Sequence, residues 1–144
     1  PFEDQTFDLV FSATVLQHNT DEEMMAKLLT EMCRVSKHRV VLFERVDKTV
    51  KGDELCKGRP VDYYGEIVKQ SGFILEETEF INIHLSYLVC GAIRKGLNSK
   101  QRKEGEPLNS TSEALQKLNL SWTRWVDPLF KVQRDVAKMV FKRS

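Results

Sequence analysis

Phe7-Asp8-Leu9-Val10-Phe11-Ser12-Ala13-Thr14 decides the reading of this chain. Phe7 to Phe11 is a short apolar run rich in strand formers, broken by one acid and closed by small polar residues. Apolar side chains fall on both faces of the alternation, which predicts a buried strand. Asp8, inside it, is then a buried acid that needs partners. Upstream, residues 1–6 read as a polar turn. Downstream, Thr20-Asp21-Glu22-Glu23 has the form of a capping box, with Thr20 at the cap and Glu23 three residues later. Met24, Met25, Leu28, Leu29, Met32 and Val35 follow at helical spacing. Arg34, Lys37 and His38 collect at the far end, where the helix dipole favours them. Val40 to Phe43 is a second buried strand, closed by Glu44.

Asp47 to Gly58 is polar and loop-like. Pro60 suits the first turn of another helix, Val61, Tyr64, Ile67 and Val68 give it an apolar stripe, and Gly72 stops it. Phe73 to Ile81 is a third strand. The order strand, helix, strand, helix, strand predicts an open α/β sheet with helices on both faces. The remaining third reads two ways. Leu85, Leu88, Val89, Ala92 and Ile93 fit a helix or a strand paired with the third one. Gly96 to Ser112 is a polar linker. Leu115, Leu118, Trp122, Trp125, Val126 and Leu129 form a helical stripe interrupted by Pro128. Trp122 and Trp125 are expected to cover a core. At the end, Ala137, Met139 and Phe141 alternate with Lys138, Val140 and Lys142, which suits a final edge strand. The competing reading is a basic helix lying on a membrane surface, with Lys131, Arg134, Lys138 and Lys142 on one face.

Bulk properties exclude several classes. The chain has 144 residues, 41% of them hydrophobic and 30% charged, an ordinary globular balance. With 22 basic and 21 acidic side chains the formal net charge is +1, so no global field points to nucleic acid. No apolar run approaches the ~20 residues of a membrane span. Cys33, Cys56 and Cys90 form no C-x-x-C, so a reducing cytoplasm is the expected location. His18, His38 and His84 show no metal-ligand spacing, and no metal is expected. The first residue is Pro rather than Met, which reads as a fragment or as a chain from which an N-terminal piece has been removed.

Four segments taken together resemble a known family. They are Pro1-Phe2-Glu3-Asp4-Gln5-Thr6-Phe7-Asp8-Leu9-Val10-Phe11-Ser12, Val15-Leu16-Gln17-His18, Arg34-Val35-Ser36 and Val40-Val41-Leu42-Phe43-Glu44. In order and spacing they resemble the C-terminal half of class I S-adenosylmethionine-dependent methyltransferases of the small-molecule, ubiquinone-biosynthesis-like type. Glu31, Arg34, Val35 and Lys37 sit where that family's helix ends. Arg59 to Tyr64 and Gly72-Phe73 resemble its later "R-x-v-x-x-Y … G-F" segment. The resemblance covers residues 1 to about 81 well. It implies a partial Rossmann-like α/β fold, strands four to seven, with a helical insert before the last strand. The expected divisions are an α/β core over 1–81, a helical cap or insert over 82–130 and a closing strand over 131–144.

Two departures stand out. The family usually has glycine after the helix ending in "R-V-x-K", whereas Lys37-His38-Arg39 leads straight into the strand. No glycine here makes G-x-G, so the glycine-rich loop and the acid that holds the cofactor ribose are expected upstream of Pro1. Without them a sheet edge and an apolar face are expected to stand uncovered.

The resemblance implies S-adenosylmethionine as cofactor. The expected cofactor-binding residues are Ser12, Ala13, Thr14, Leu16, Gln17 and His18, at the carboxyl end of a parallel strand, where open α/β sheets bind ligands. His18 is the candidate catalytic base, since a histidine can accept a proton near neutral pH. Its alternative roles are capping the next helix or ordering the cofactor carboxylate. Arg59 and Tyr63 are candidate substrate contacts, and Glu44, Arg45 and Tyr64 could also face substrate. The implied partner is a small-molecule, sugar or lipid-linked acceptor. No nucleic acid is expected, a membrane surface stays open as an alternative, and the oligomeric state is not readable. The alternative function is a truncated, non-catalytic scaffold or partner-binding domain.

Overall fold

A computed structural model of the protein describes residues 2–99, 106–130 and 135–144. It divides into two compact units, residues 1–81 with 133–144, and residues 82–132.

The first unit is built on a four-stranded sheet. Its elements are β1 (Phe7–Ala13), α1 (Glu22–Val35), β2 (Ser36–Val46), the two-residue strands β3 (Lys51–Gly52) and β4 (Lys57–Gly58), α2 (Val61–Gln70), β5 (Phe73–Ile81) and, further along the chain, β6 (Asp135–Arg143). The strand order is β1-β2-β6-β5, with β1 parallel to β2 and β6 antiparallel to both its neighbours. The final strand is therefore interior, not the expected edge. Its alternation explains the place: Ala137, Met139 and Phe141 are fully buried, and they register against Glu44, Leu42 and Val40 of β2. The membrane-helix reading of this segment fails, because Lys138 and Lys142 lie on that strand. Lys131 and Arg134 lie outside the described residues.

The helix α1 starts one residue later than the capping-box reading. Asp21 is the cap, and its carboxylate accepts the N–H groups of Glu23 and Met24 at 2.9 and 3.1 Å. Met25, Leu29 and Cys33, one helical stripe, are fully buried. Burial pushes the Cys33 thiol up to about 11, which keeps it an inert packing group. The missing glycine after this helix has a replacement. Arg143 of β6 donates to the carbonyls of Cys33 and Ser36 at 2.9 and 2.6 Å and to Lys37 at 3.2 Å, while its guanidinium lies 4.5 Å from the centre of the Phe73 ring. These contacts satisfy carbonyls that a helix end leaves open. The end of α2 is the ordinary kind: Gly72 takes φ +78°, and its N–H bonds Lys69 at 3.1 Å.

Both α1 and α2 pack on one face, where they meet each other and share a core with Val40, Leu42, Phe73 and Phe141. The expectation of helices on both faces is not met among the described residues of this unit. Nor is β1 buried. It pairs only with β2, and Phe7, Leu9 and Phe11 are exposed. Asp8 is exposed as well and needs no buried partner; it sits 3.7 Å from His38. The sheet edge and apolar face expected to be uncovered are thus β1 and its outward side chains.

The second unit is a helical pair, α3 (His84–Leu97) and α4 (Ser110–Val126), with a short 3₁₀ turn at Asp127–Leu129. The helix reading of Leu85 to Ile93 is the correct one. Ile83 at the start of α3 offers no capping side chain, so Asp127 supplies it: its carboxylate accepts from Leu85 N–H at 2.7 Å and from the Ser86 hydroxyl. Trp122 and Trp125 are exposed, contrary to the expectation that they cover a core. With Leu118 and Leu129 they form one open apolar stripe.

Candidate functional site

β1 ends abruptly. Thr14 adopts φ +56°, a left-handed conformation that a β-branched residue takes only under constraint, and its N–H is bound to Phe43 of β2 at 2.7 Å. The chain then makes a single 3₁₀ turn, Leu16–His18, before α1 begins. Ser12, Ala13, Thr14, Leu16, Gln17 and His18 are all brought together on this strand end and turn. Ala13, Thr14 and His18 are exposed, Gln17 is half-buried, and Ser12 and Leu16 are buried. A shallow recess of about 340 Å³ opens along Phe11, Ser12, Ala13, Val15 and Leu16 towards Leu28 and Met32 of α1.

Two buried charges hold the turn. Glu44, at the end of β2, is fully buried. One of its oxygens accepts from the Ser12 hydroxyl at 2.6 Å and from Val15 N–H at 3.2 Å; the other accepts from Gln17 N–H at 3.0 Å. Arg59, also fully buried, donates to the carbonyls of Leu16 at 3.1 Å and Asn19 at 2.7 Å, and to both oxygens of Glu22 at 2.8 and 3.0 Å. Carboxylate meets N–H groups at the start of the turn, and guanidinium meets carbonyls at its end. Each charge complements the peptide dipoles it faces.

Arg59, an expected substrate contact, and Glu44 both bond protein groups. Tyr64 is buried in the core, and burial pushes its phenol up to about 12. Tyr63 is half-buried and donates its hydroxyl to Glu22 at 2.8 Å. Glu22 also accepts from Lys57 at 3.0 Å. The Arg59 guanidinium, followed by Lys57 and the Tyr63 hydroxyl, holds the Glu22 carboxyl down at about 2 against the opposing effect of burial. Glu22 carried no signal in the sequence beyond being the second acid of a helix start. Glu44 did carry one, an acid at the carboxyl end of a buried strand.

The segment between β2 and α2 folds over His18. Asp53 accepts the N–H groups of Leu55 and Cys56 at 2.9 and 3.0 Å, and this tightens the β3–β4 hairpin. The hairpin carries the Leu55 carbonyl to 2.8 Å from His18 Nδ1. On the other side of the ring, Gln17 Nε2 lies 3.2 Å from His18 Nε2. An open recess of about 720 Å³ lies beside the hairpin, lined by Thr20, Gly52, Asp53, Glu54, Leu55 and Lys57.

Comparison with known proteins agrees with this architecture. A family model described as a methyltransferase domain matches residues 1–43. No curated protein sequence matches. Among solved structures, a candidate sarcosine dimethylglycine methyltransferase from Galdieria sulphuraria superposes with a TM-score of 0.59 at 18% identity, over 100% of this chain and 56% of that one. The cyclopropane synthase MmaA2 from Mycobacterium tuberculosis gives a TM-score of 0.56 at 12% identity, over 97% of this chain and 56% of that one. A Haemonchus contortus phosphoethanolamine N-methyltransferase, solved with phosphomonomethylethanolamine and S-adenosylhomocysteine, gives 0.53 at 18% identity, over 100% of this chain and 35% of that one. The chain spans about half the length of the first two structures and about a third of the last. Its fold is similar to that of these methyltransferases, and the matched methyltransferase-domain segment runs through β1, α1 and most of β2.

Proposed function

We propose that the protein transfers a methyl group from S-adenosylmethionine to a small-molecule, sugar or lipid-linked acceptor. One observation carries this reading: the strand end and the turn at residues 12–18 present small exposed backbone and a histidine side by side, at the carboxyl end of a parallel strand pair, held there by two buried charges. Ligands of open α/β sheets bind at that end.

The residues present fit the methionine part of the cofactor. The recess beside Ser12 and Ala13 is mostly apolar, lined by Phe11, Val15, Leu28 and Met32. Ser12, Ala13, Thr14 and Leu16 would hold it, with Gln17 and His18 completing the turn. Bound S-adenosylmethionine supplies an electrophilic methyl group on a sulfonium. His18 takes the proton from an acceptor hydroxyl or ammonium placed beside its exposed ring. Alignment of that acceptor contributes as much as proton removal, since methyl transfer is an in-line displacement. Arg59 and Tyr63 act through Glu22 on the turn and not at the acceptor.

The test uses the full-length protein, titrated with S-adenosylhomocysteine and assayed with methyl-labelled S-adenosylmethionine against amines and alcohols. His18→Ala is expected to lower turnover by about 100-fold or more while cofactor affinity holds. A collapse of cofactor affinity in that variant would make His18 a binding residue. Absence of cofactor binding in the wild type would sink the reading and leave a non-catalytic, partner-binding domain in its place.

A further inference from the structure

We infer that Gln17 is a positioning residue that fixes which nitrogen of His18 is basic. The inference rests on the reading of His18 as the base. Arg45 N–H can only donate, and it lies 2.8 Å from Gln17 Oε1. That contact fixes which way round the Gln17 amide sits, so its NH₂ group must point to His18 Nε2, 3.2 Å away. An NH₂ group can only donate, so Nε2 must accept with its lone pair. The ring proton is then on Nδ1, where the Leu55 carbonyl accepts it at 2.8 Å. Each contact requires the same tautomer, neutral imidazole with Nδ1–H and a basic Nε2.

The device is anchored in the fold. Glu44 holds Gln17 by its N–H, and the next residue of β2, Arg45, holds Gln17 by its side chain. The end of one strand thus sets the histidine's proton through a single amide. Protonating Nε2 would set an N–H against the Gln17 NH₂, so the amide must move aside when the base takes its proton. The charged groups on the surrounding elements are Arg45 on β2, whose guanidinium reaches Cys56 Sγ at 3.6 Å, Asp53 and Glu54 on the hairpin, and Lys57 paired with Glu22 at 3.0 Å.

The test is nitrogen-15 NMR of the histidine rings across a pH titration, in the wild type and in Gln17→Glu, beside the pH dependence of methyl transfer. Wild-type His18 is expected to be in the Nδ1–H form when neutral. In Gln17→Glu one carboxylate oxygen still accepts from Arg45 N–H and the other now faces Nε2. The midpoint of His18 protonation is expected to rise by about one pH unit, and the low-pH limb of the activity profile should move up by the same amount. A wild-type Nε2–H tautomer, or a midpoint unmoved in the variant, would overturn the inference. The wild-type tautomer needs no variant and no activity. Failure of methyl transfer with the Nδ1–H form intact would strike the enzymatic reading alone.

Discussion

Glu44 and Arg59 hold opposite poles of one short turn: the carboxylate takes the N–H groups of Val15 and Gln17, and the guanidinium takes the carbonyls of Leu16 and Asn19. Neither charge has anything to do with the surface. Each is placed where backbone groups would otherwise be buried without partners, which is the condition under which a buried ion stabilises a fold.

Removing Arg59 leaves the Leu16 and Asn19 carbonyls and the Glu22 carboxylate short of their donor. Arg59→Met is expected to cost about 3–5 kcal/mol, read by urea unfolding. Arg59→Lys should recover little of it, because one ammonium cannot span three acceptors that the planar guanidinium reaches together. Full recovery by lysine would show that charge, not fork geometry, is what the turn requires.

Glu44→Gln keeps the size and loses one acceptor. An amide NH₂ then faces either Gln17 N–H or the Ser12 and Val15 pair. A loss of about 1–3 kcal/mol is expected. Amide hydrogen exchange at Val15 and Gln17 should accelerate while Met25 and Leu29, in the core of α1, keep their relative protection. Unchanged exchange at both turn amides would contradict the grip described here.

Glu22 links stability to pH. Its folded-state carboxyl sits at about 2, below the usual 4.5, because Arg59, Lys57 and Tyr63 favour the ionised form. A depressed acid contributes stability that is fully present above the unfolded value and lost as pH falls through the folded one. The stability gap between wild type and Glu22→Gln should therefore be constant above about pH 5 and close between about 4.5 and 2. Its size should be about 1–2 kcal/mol, since the carboxylate is partly exposed and screened by solvent. Denaturant unfolding at pH 7, 4 and 3 reads the gap, and a gap independent of pH would be the wrong outcome.

Gly52 is where the hairpin over His18 crosses itself. A Cβ there would lie 2.0 Å from the Cys56 carbonyl oxygen, a backbone atom that cannot swing away. Gly52→Ala should open the hairpin and take the Leu55 carbonyl off His18 Nδ1, with little change in overall unfolding free energy because β3 and β4 are two residues each and β3 is exposed. The His18 ring resonances report it directly.

Much of the framework could be read from residue patterns. The bounds of β5, the glycine stop after α2 and the Ala137-Met139-Phe141 alternation all follow from local periodicity or backbone conformation. The interior position of β6 did not, because alternation tells which side chains face the core and not which strands lie alongside. β2 begins four residues earlier than its apolar run, at Ser36, since Ser36 pairs with Phe7 of β1 and Arg39 with both β1 and β6 while the side chains of Lys37, His38 and Arg39 stay in solvent. At the site, the two gripping charges carried no sign in the sequence of the backbone groups they bind. Arg59 is 40 residues from Asn19 and meets it at a carbonyl, a partner that no side-chain pattern encodes.

The interior place of β6 has a consequence for synthesis. β2 and β5 are both complete before Asp135 is made, yet their backbones are joined in the sheet only through β6. A nascent chain emerging from the ribosome therefore holds two unpaired strand edges open throughout translation of the α3 and α4 segment. Closing that long excursion costs little in equilibrium terms, about 0.6 kcal/mol for each doubling of loop length. Its cost is in time, since a contact of such sequence separation forms late and unpaired edges invite other chains meanwhile. The helical pair, complete once Leu129 is made, is free to form before β6 is added. The final residues then act as the latch that turns a set of separate pieces into one sheet.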